Sequence, residues 1–85
     1  MLEKVRDEIN QIDQELAVLL EKRYKCVDEV VRIKKENQIP ILDSNREELV
    51  LKRIANLIKE EKYKDSILET FQNMMDISKE YQSKL

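Results

Sequence analysis

From Leu2 to Ile33 the chain keeps one 3–4 beat: Leu2, Val5, Ile9, Ile12, Leu16, Leu19, position 23, Cys26, Val30 and Ile33. Alternating steps of three and four mark one face of an α-helix built to pair with another helix. No glycine occurs among the 85 residues and the one proline is Pro40, so nothing interrupts the helix before that point. The spacing predicts a first helix over about residues 3–37, roughly 50 Å long at about 1.5 Å per residue. A single small globule does not enclose a helix of that length, and chains this short are often completed by association. A second copy of the long helix covers the stripe better than two short helices can, so the periodicity predicts a homodimer.

Pro40 biases its predecessor away from helix, which makes "NQIPILD" a connection. A second helix is expected over about 44–62, with Ser44 and Glu47 at capping-box spacing, Asp43 as a competing N-cap, and Val50, Ile54, Leu57 and Ile58 on one face. "KYKDS" reads as the next connection. A third helix follows over about 66–84, capped by Asp65 or Ser66, with Leu68, Phe71, Met74, Met75, Tyr81 and Leu85 as its stripe. The expectation is a single all-α domain spanning 1–85, with one long and two shorter helices.

Charged residues make up 40% of the chain yet nearly cancel at a net charge of −2, without the basic excess typical of a nucleic-acid binder. The longest apolar run, "LAVLL", is far too short to cross a bilayer, and "MLEKVRDE" is too charged for a signal peptide. One cysteine suits a reducing compartment. These features predict a soluble cytoplasmic protein with neither nucleic acid nor membrane as partner. Without histidine, the usual zinc sites and the Ser-His-Asp and Cys-His nucleophile systems are excluded. Without glycine there is no phosphate-cradling loop. Any chemistry must come from arginine, lysine, carboxylates, amides and hydroxyls.

Those groups stand where the pattern asks for apolar side chains. Arg23 takes a stripe position, and Lys34 lies eleven residues on, on the same face and roughly 16 Å along the axis. Glu47 heads the face of Val50, Ile54 and Ile58, and Arg46 flanks Val50. Ser78 follows Phe71 by seven residues and Gln82 follows Met75 by seven. Each has an ordinary explanation. Arg23 can set helix register, Lys34 can be solvated, Glu47 can complete a capping box, Ser78 is common in helices and Gln82 can fray. Cys26 reads as a small core residue. A small core tolerates such a set poorly, however, and a pocket for an anionic ligand accounts for all of it. Arg6 precedes Arg23 by 17 residues, roughly 25 Å. It reaches such a pocket only from an antiparallel partner helix.

"LEKVRDEINQIDQELAVLLEKR", "VVRIKKENQIPILDSNREE" and "FQNMMDISKEYQ" together closely resemble the all-helical class of chorismate mutase over about residues 2–83. The resemblance rests on the ordered set Arg6, Asp13, Arg23, Lys34, Pro40, Asp43, Arg46, Glu47, Ser78 and Gln82. It implies an intertwined homodimer with two shared sites, no metal and no cofactor. The implied reaction is the Claisen rearrangement of chorismate to prephenate, on the route to phenylalanine and tyrosine. In that reading Arg6 of the partner subunit and Arg23 hold substrate carboxylates, supported by Arg46 and Ser78. Lys34 and Gln82 donate to the ether oxygen, and Glu47, with the Asp43 backbone, contacts the ring hydroxyl. Asp13 is structural. Two alternatives share the pattern: an isochorismate-pyruvate lyase of the same fold, against which Glu47 speaks, and a non-catalytic helical dimerisation or regulatory module.

Overall fold

The computed structural model describes all residues 1–85 and contains three helices and no strand: α1 (Leu2–Glu36), α2 (Ser44–Leu57) and α3 (Glu61–Ser83). α1 ends four residues before Pro40. Asn37 caps it twice, donating from its backbone N–H (3.1 Å) and its Nδ2 (2.8 Å) to Ile33 O. Gln38 then takes a left-handed φ of 56°, and Ile39 N–H reaches back to Lys34 O at 2.8 Å. That is the geometry in which helices favour glycine one residue beyond the cap. Gln38→Gly should therefore stabilise the chain, by about 0.5–1 kcal/mol after the added freedom of the unfolded state is deducted. Urea unfolding followed by circular dichroism reads this as a higher midpoint at an unchanged slope.

Asp43, not Ser44, is the N-cap of α2, and its carboxylate accepts from Arg46 N–H at 3.0 Å. No capping box forms, because the Glu47 side chain turns toward α3. The expected bounds of the second and third helices, about 44–62 and 66–84, are corrected to 44–57 and 61–83. The chain leaves α2 at Ile58, which is extended (φ −82°, ψ 120°). A link of only 58–60 then joins the helices, a length that suits antiparallel neighbours. "KYKDS" is helical throughout. It contains no glycine or proline, and Glu61 pairs with Lys64 across one turn at 3.1 Å. Asp65 and Ser66 thus lie inside α3 and cap nothing; the cap preference of such residues is a weak prior that packing overrides.

α3 packs on both other helices, while α1 and α2 do not pack directly on each other. The buried positions are few: Val27 and Val31 of α1, with Met75 and Ser78 of α3. Val27 and Val31 are not stripe residues. The face of α1 that α3 covers is therefore offset from the long apolar stripe, whose members Leu2, Val5, Ile9, Ile12, Leu16 and Leu19 all stay exposed. The radius of gyration of 15.6 Å exceeds the roughly 12 Å of a compact chain of this length, because the first half of α1 projects beyond the other helices. No helix is long and apolar enough to cross a membrane.

Candidate active site

A cavity of about 250 Å³ opens where the second half of α1, the start of α2 and the last turns of α3 converge. α1 contributes Arg23, Cys26 and Lys34, α2 contributes Arg46 and Glu47 with Asp43 at its cap, and α3 contributes Ser78, Lys79 and Gln82. Val27, Val30, Ile41, Val50 and Met75 supply an apolar lining. Seven of the eight candidate residues thus meet in one place. The eighth, Arg6, sits on the exposed first turns of α1, outside the cavity and roughly 25 Å along the helix from Arg23. Asp13 is likewise exposed and remote from the cavity. Cys26, expected in the core, is exposed at the cavity wall.

The polar groups are held by local contacts. Lys34, half-buried, donates from Nζ to Ile41 O at 3.0 Å, which fixes the ammonium against the 37–43 connection and leaves two N–H groups free. Ser78 is buried, and its hydroxyl accepts from Gln82 Nε2 at 3.2 Å. Gln82 Oε1 is buried with no partner. An orphaned buried carbonyl is costly. Glu47, at the fourth position of α2, pairs with Lys79 Nζ at 3.0 Å and accepts from Gln72 Nε2 at 3.4 Å.

Behind the cavity a second tie joins α1 to α3. Tyr81 OH donates to Asp28 Oδ1, and the Tyr81 and Tyr24 rings meet edge to face at 5.1 Å. The Asp28 hydrogen bond, followed by burial, pushes the Tyr81 phenol above its ordinary value, so its proton stays in place at neutral pH. Tyr24 adjoins Arg23 and Tyr81 adjoins Gln82, so this tie fixes the distance between the two helices at the site.

Four cations and two carboxylates line the cavity, an excess of two positive charges in a chain whose net charge is −2. None of Arg23, Lys34 or Arg46 forms an ion pair within the chain. Grouped unpaired cations above an apolar floor, with a hydroxyl and an amide beside them, suit a small dianion that carries a hydrophobic body. Lys79 and Gln72 escaped sequence reasoning. For Lys79 a signal existed: Met75, Ser78, Lys79 and Gln82 fall at i, i+3, i+4 and i+7, one helical face. Lys79 was hidden because a lysine beside a serine reads as solvated surface.

Fold and site together define a class: a small all-helical domain whose three helices jointly line one cationic cavity. Comparison with known proteins gives the family. The chain matches the family model for chorismate mutase type II over residues 5–83 and belongs to that family. It is similar to a bifunctional chorismate mutase/prephenate dehydratase of Buchnera aphidicola subsp. Schizaphis graminum, 37% identical over 81 residues. That match covers 94% of this chain and 21% of the relative, so the chain spans about a fifth of that longer protein. It is also similar to a chorismate mutase of Methanocaldococcus jannaschii, 32% identical over 82 residues, covering 95% of this chain and 83% of the relative. No solved structure gives a significant match.

Proposed function

We infer that this chain is a chorismate mutase, an isomerase that converts chorismate to prephenate by confinement and electrostatics. The observation that carries the reading is the convergence of Arg23, Lys34 and Arg46, unpaired, on one cavity. Chorismate carries two carboxylates, a ring hydroxyl and an enolpyruvyl ether. In the rearrangement the ether C–O bond breaks as a new C–C bond forms, and no atom enters or leaves. The reaction needs no nucleophile, metal or obligatory proton transfer. An enzyme contributes by holding the flexible ether in a chair-like reactive geometry and by stabilising the negative charge that grows on the departing oxygen.

The side chains divide these tasks. Arg23 receives one carboxylate, with Arg46 and Ser78 supporting the anionic end. Lys34 directs its free N–H groups at the ether oxygen. Gln82 joins it through Nε2, which gives one N–H to the Ser78 hydroxyl at 3.2 Å and keeps the other for the substrate. Glu47 accepts from the ring hydroxyl, whose oxygen in turn accepts from the Asp43 backbone N–H.

A second copy of the chain completes the site. Leu2, Val5, Ile9, Ile12, Leu16 and Leu19 leave an apolar face about 26 Å long uncovered, which a solitary soluble chain rarely presents. Pairing α1 antiparallel with its copy, with the two-fold axis near residues 14 and 15, brings Arg6 of the partner subunit level with Arg23 and covers that face. The interface is isologous, so two equivalent sites form. The single free cysteine agrees with a reducing, cytoplasmic setting.

Incubating the purified chain with chorismate and, separately, with isochorismate tests the activity. Prephenate from chorismate is the expected result. Salicylate and pyruvate from isochorismate alone make the chain a lyase instead, and inertness toward both makes it a non-catalytic dimerisation module.

A further inference from the structure

Lys79 belongs to none of the roles above, yet it lines the cavity, with its side chain 30% exposed. Its ammonium lies 3.0 Å from Glu47 Oε2 and 3.4 Å from Asp76 Oδ1. Gln72 closes the ring, donating to Asp76 Oδ1 at 3.0 Å and to Glu47 Oε1 at 3.4 Å. Residues 72, 76 and 79 stand at i, i+4 and i+7 on α3, so one helical face grips a single carboxylate of α2. Glu47 is the more buried partner of the pair, at 19% side-chain exposure. The hydrogen bond to Glu47, with a smaller addition from Asp76, holds the Lys79 ammonium above its ordinary value against the opposing effect of burial.

This arrangement resolves a conflict in the site. Of the two lining carboxylates, Asp43 is engaged by Arg46 N–H at the start of α2, whereas Glu47 is the one assigned to the substrate, and like charges at such distances repel strongly away from bulk water. The ring hydroxyl nevertheless needs an acceptor, and a carboxylate offers one on each oxygen. We propose that Lys79 is a positioning and charge-compensating residue: its ion pair cancels the charge of Glu47 toward the dianionic substrate and aims the carboxylate at the ring hydroxyl. The proposal rests on the chorismate mutase reading and adds a residue to it. A carboxylate offers about four lone-pair positions, so Glu47 has capacity left for the substrate after Lys79 and Gln72 are served.

The test is a double-mutant cycle in steady-state kinetics on the full chain: wild type, Lys79→Met, Lys79→Arg, Glu47→Gln and Glu47→Gln/Lys79→Met. Lys79→Met should raise the KM for chorismate about tenfold or more, because the substrate then meets an uncompensated carboxylate, with a smaller change in kcat. Lys79→Arg, which keeps the charge, should restore most of the loss. Glu47→Gln should impair the wild type but lower KM in the Lys79→Met background, a reversal that a merely structural lysine does not produce. Circular dichroism checks the fold, and Lys79→Gln stands in if the methionine variant melts. A Lys79→Met KM within twofold of wild type, or a double variant with a higher KM than Lys79→Met alone, overturns the role of Lys79. A wild-type chain inert toward chorismate overturns the parent reading and this one with it.

Discussion

Lys34→Met should lower kcat about a hundredfold to a thousandfold while the chain stays folded. The ammonium is half-buried, fixed at 3.0 Å from Ile41 O, and no carboxylate neutralises it. In the proposed role its interaction with the ether oxygen is weak in the ground state and strengthens as the C–O bond breaks, so the loss falls on kcat more than on KM. Lys34→Arg should recover little, since the planar guanidinium cannot keep both the Ile41 carbonyl and the ether oxygen in the ammonium's geometry. Freeing the Ile41 carbonyl costs about 1 kcal/mol of stability, a modest drop in melting temperature. Chorismate disappearance at saturating substrate, beside a circular dichroism melt, separates the two effects. A folded Lys34→Met chain with kcat within tenfold of wild type removes Lys34 from the chemistry.

The second large effect concerns the proposed sharing of each site between two chains. Arg6→Ala and Lys34→Met should each be nearly inactive alone. Unfolding them together at equal concentration and refolding the mixture should then restore about a quarter of wild-type activity, since half the dimers are mixed and each mixed dimer regenerates one of its two sites. The basis is geometric: Arg6 is roughly 25 Å along α1 from Arg23 and outside the cavity of its own chain, so the two defects complement only if Arg6 serves the partner's cavity. No recovery on mixing, with dimers confirmed by light scattering, shows that Arg6 does not cross between chains. Full activity of Arg6→Ala alone shows that it serves no site.

Much of this was legible from periodicity. The beat from Leu2 to Ile33 gives α1 its extent to within a residue or so, and Pro40 marks the linker. The polar residues out of place at 23, 34, 46, 47, 78 and 82 pointed to a cavity that the folded chain forms. The α2–α3 junction was not legible. Asp65 and Ser66 carry cap chemistry, yet the break comes at Ile58, which carries none. Turn residues there report local preference, whereas the path of the chain depends on where α3 must lie to cover Val27 and Val31.

The sequence by itself determined the three helices and which residues share a face on each, because side-chain direction repeats with the helical period and needs no neighbour to define it. Only the tertiary structure decided which face of α1 meets α3, that Cys26 stands at the cavity wall, and that Lys79 and Gln72 close on Glu47. Those outcomes depend on contacts between residues 25 or more positions apart. Such contacts are set by the packing of whole helices: the helical period places Lys79 on the face of Ser78 and Gln82 but does not say which carboxylate it meets.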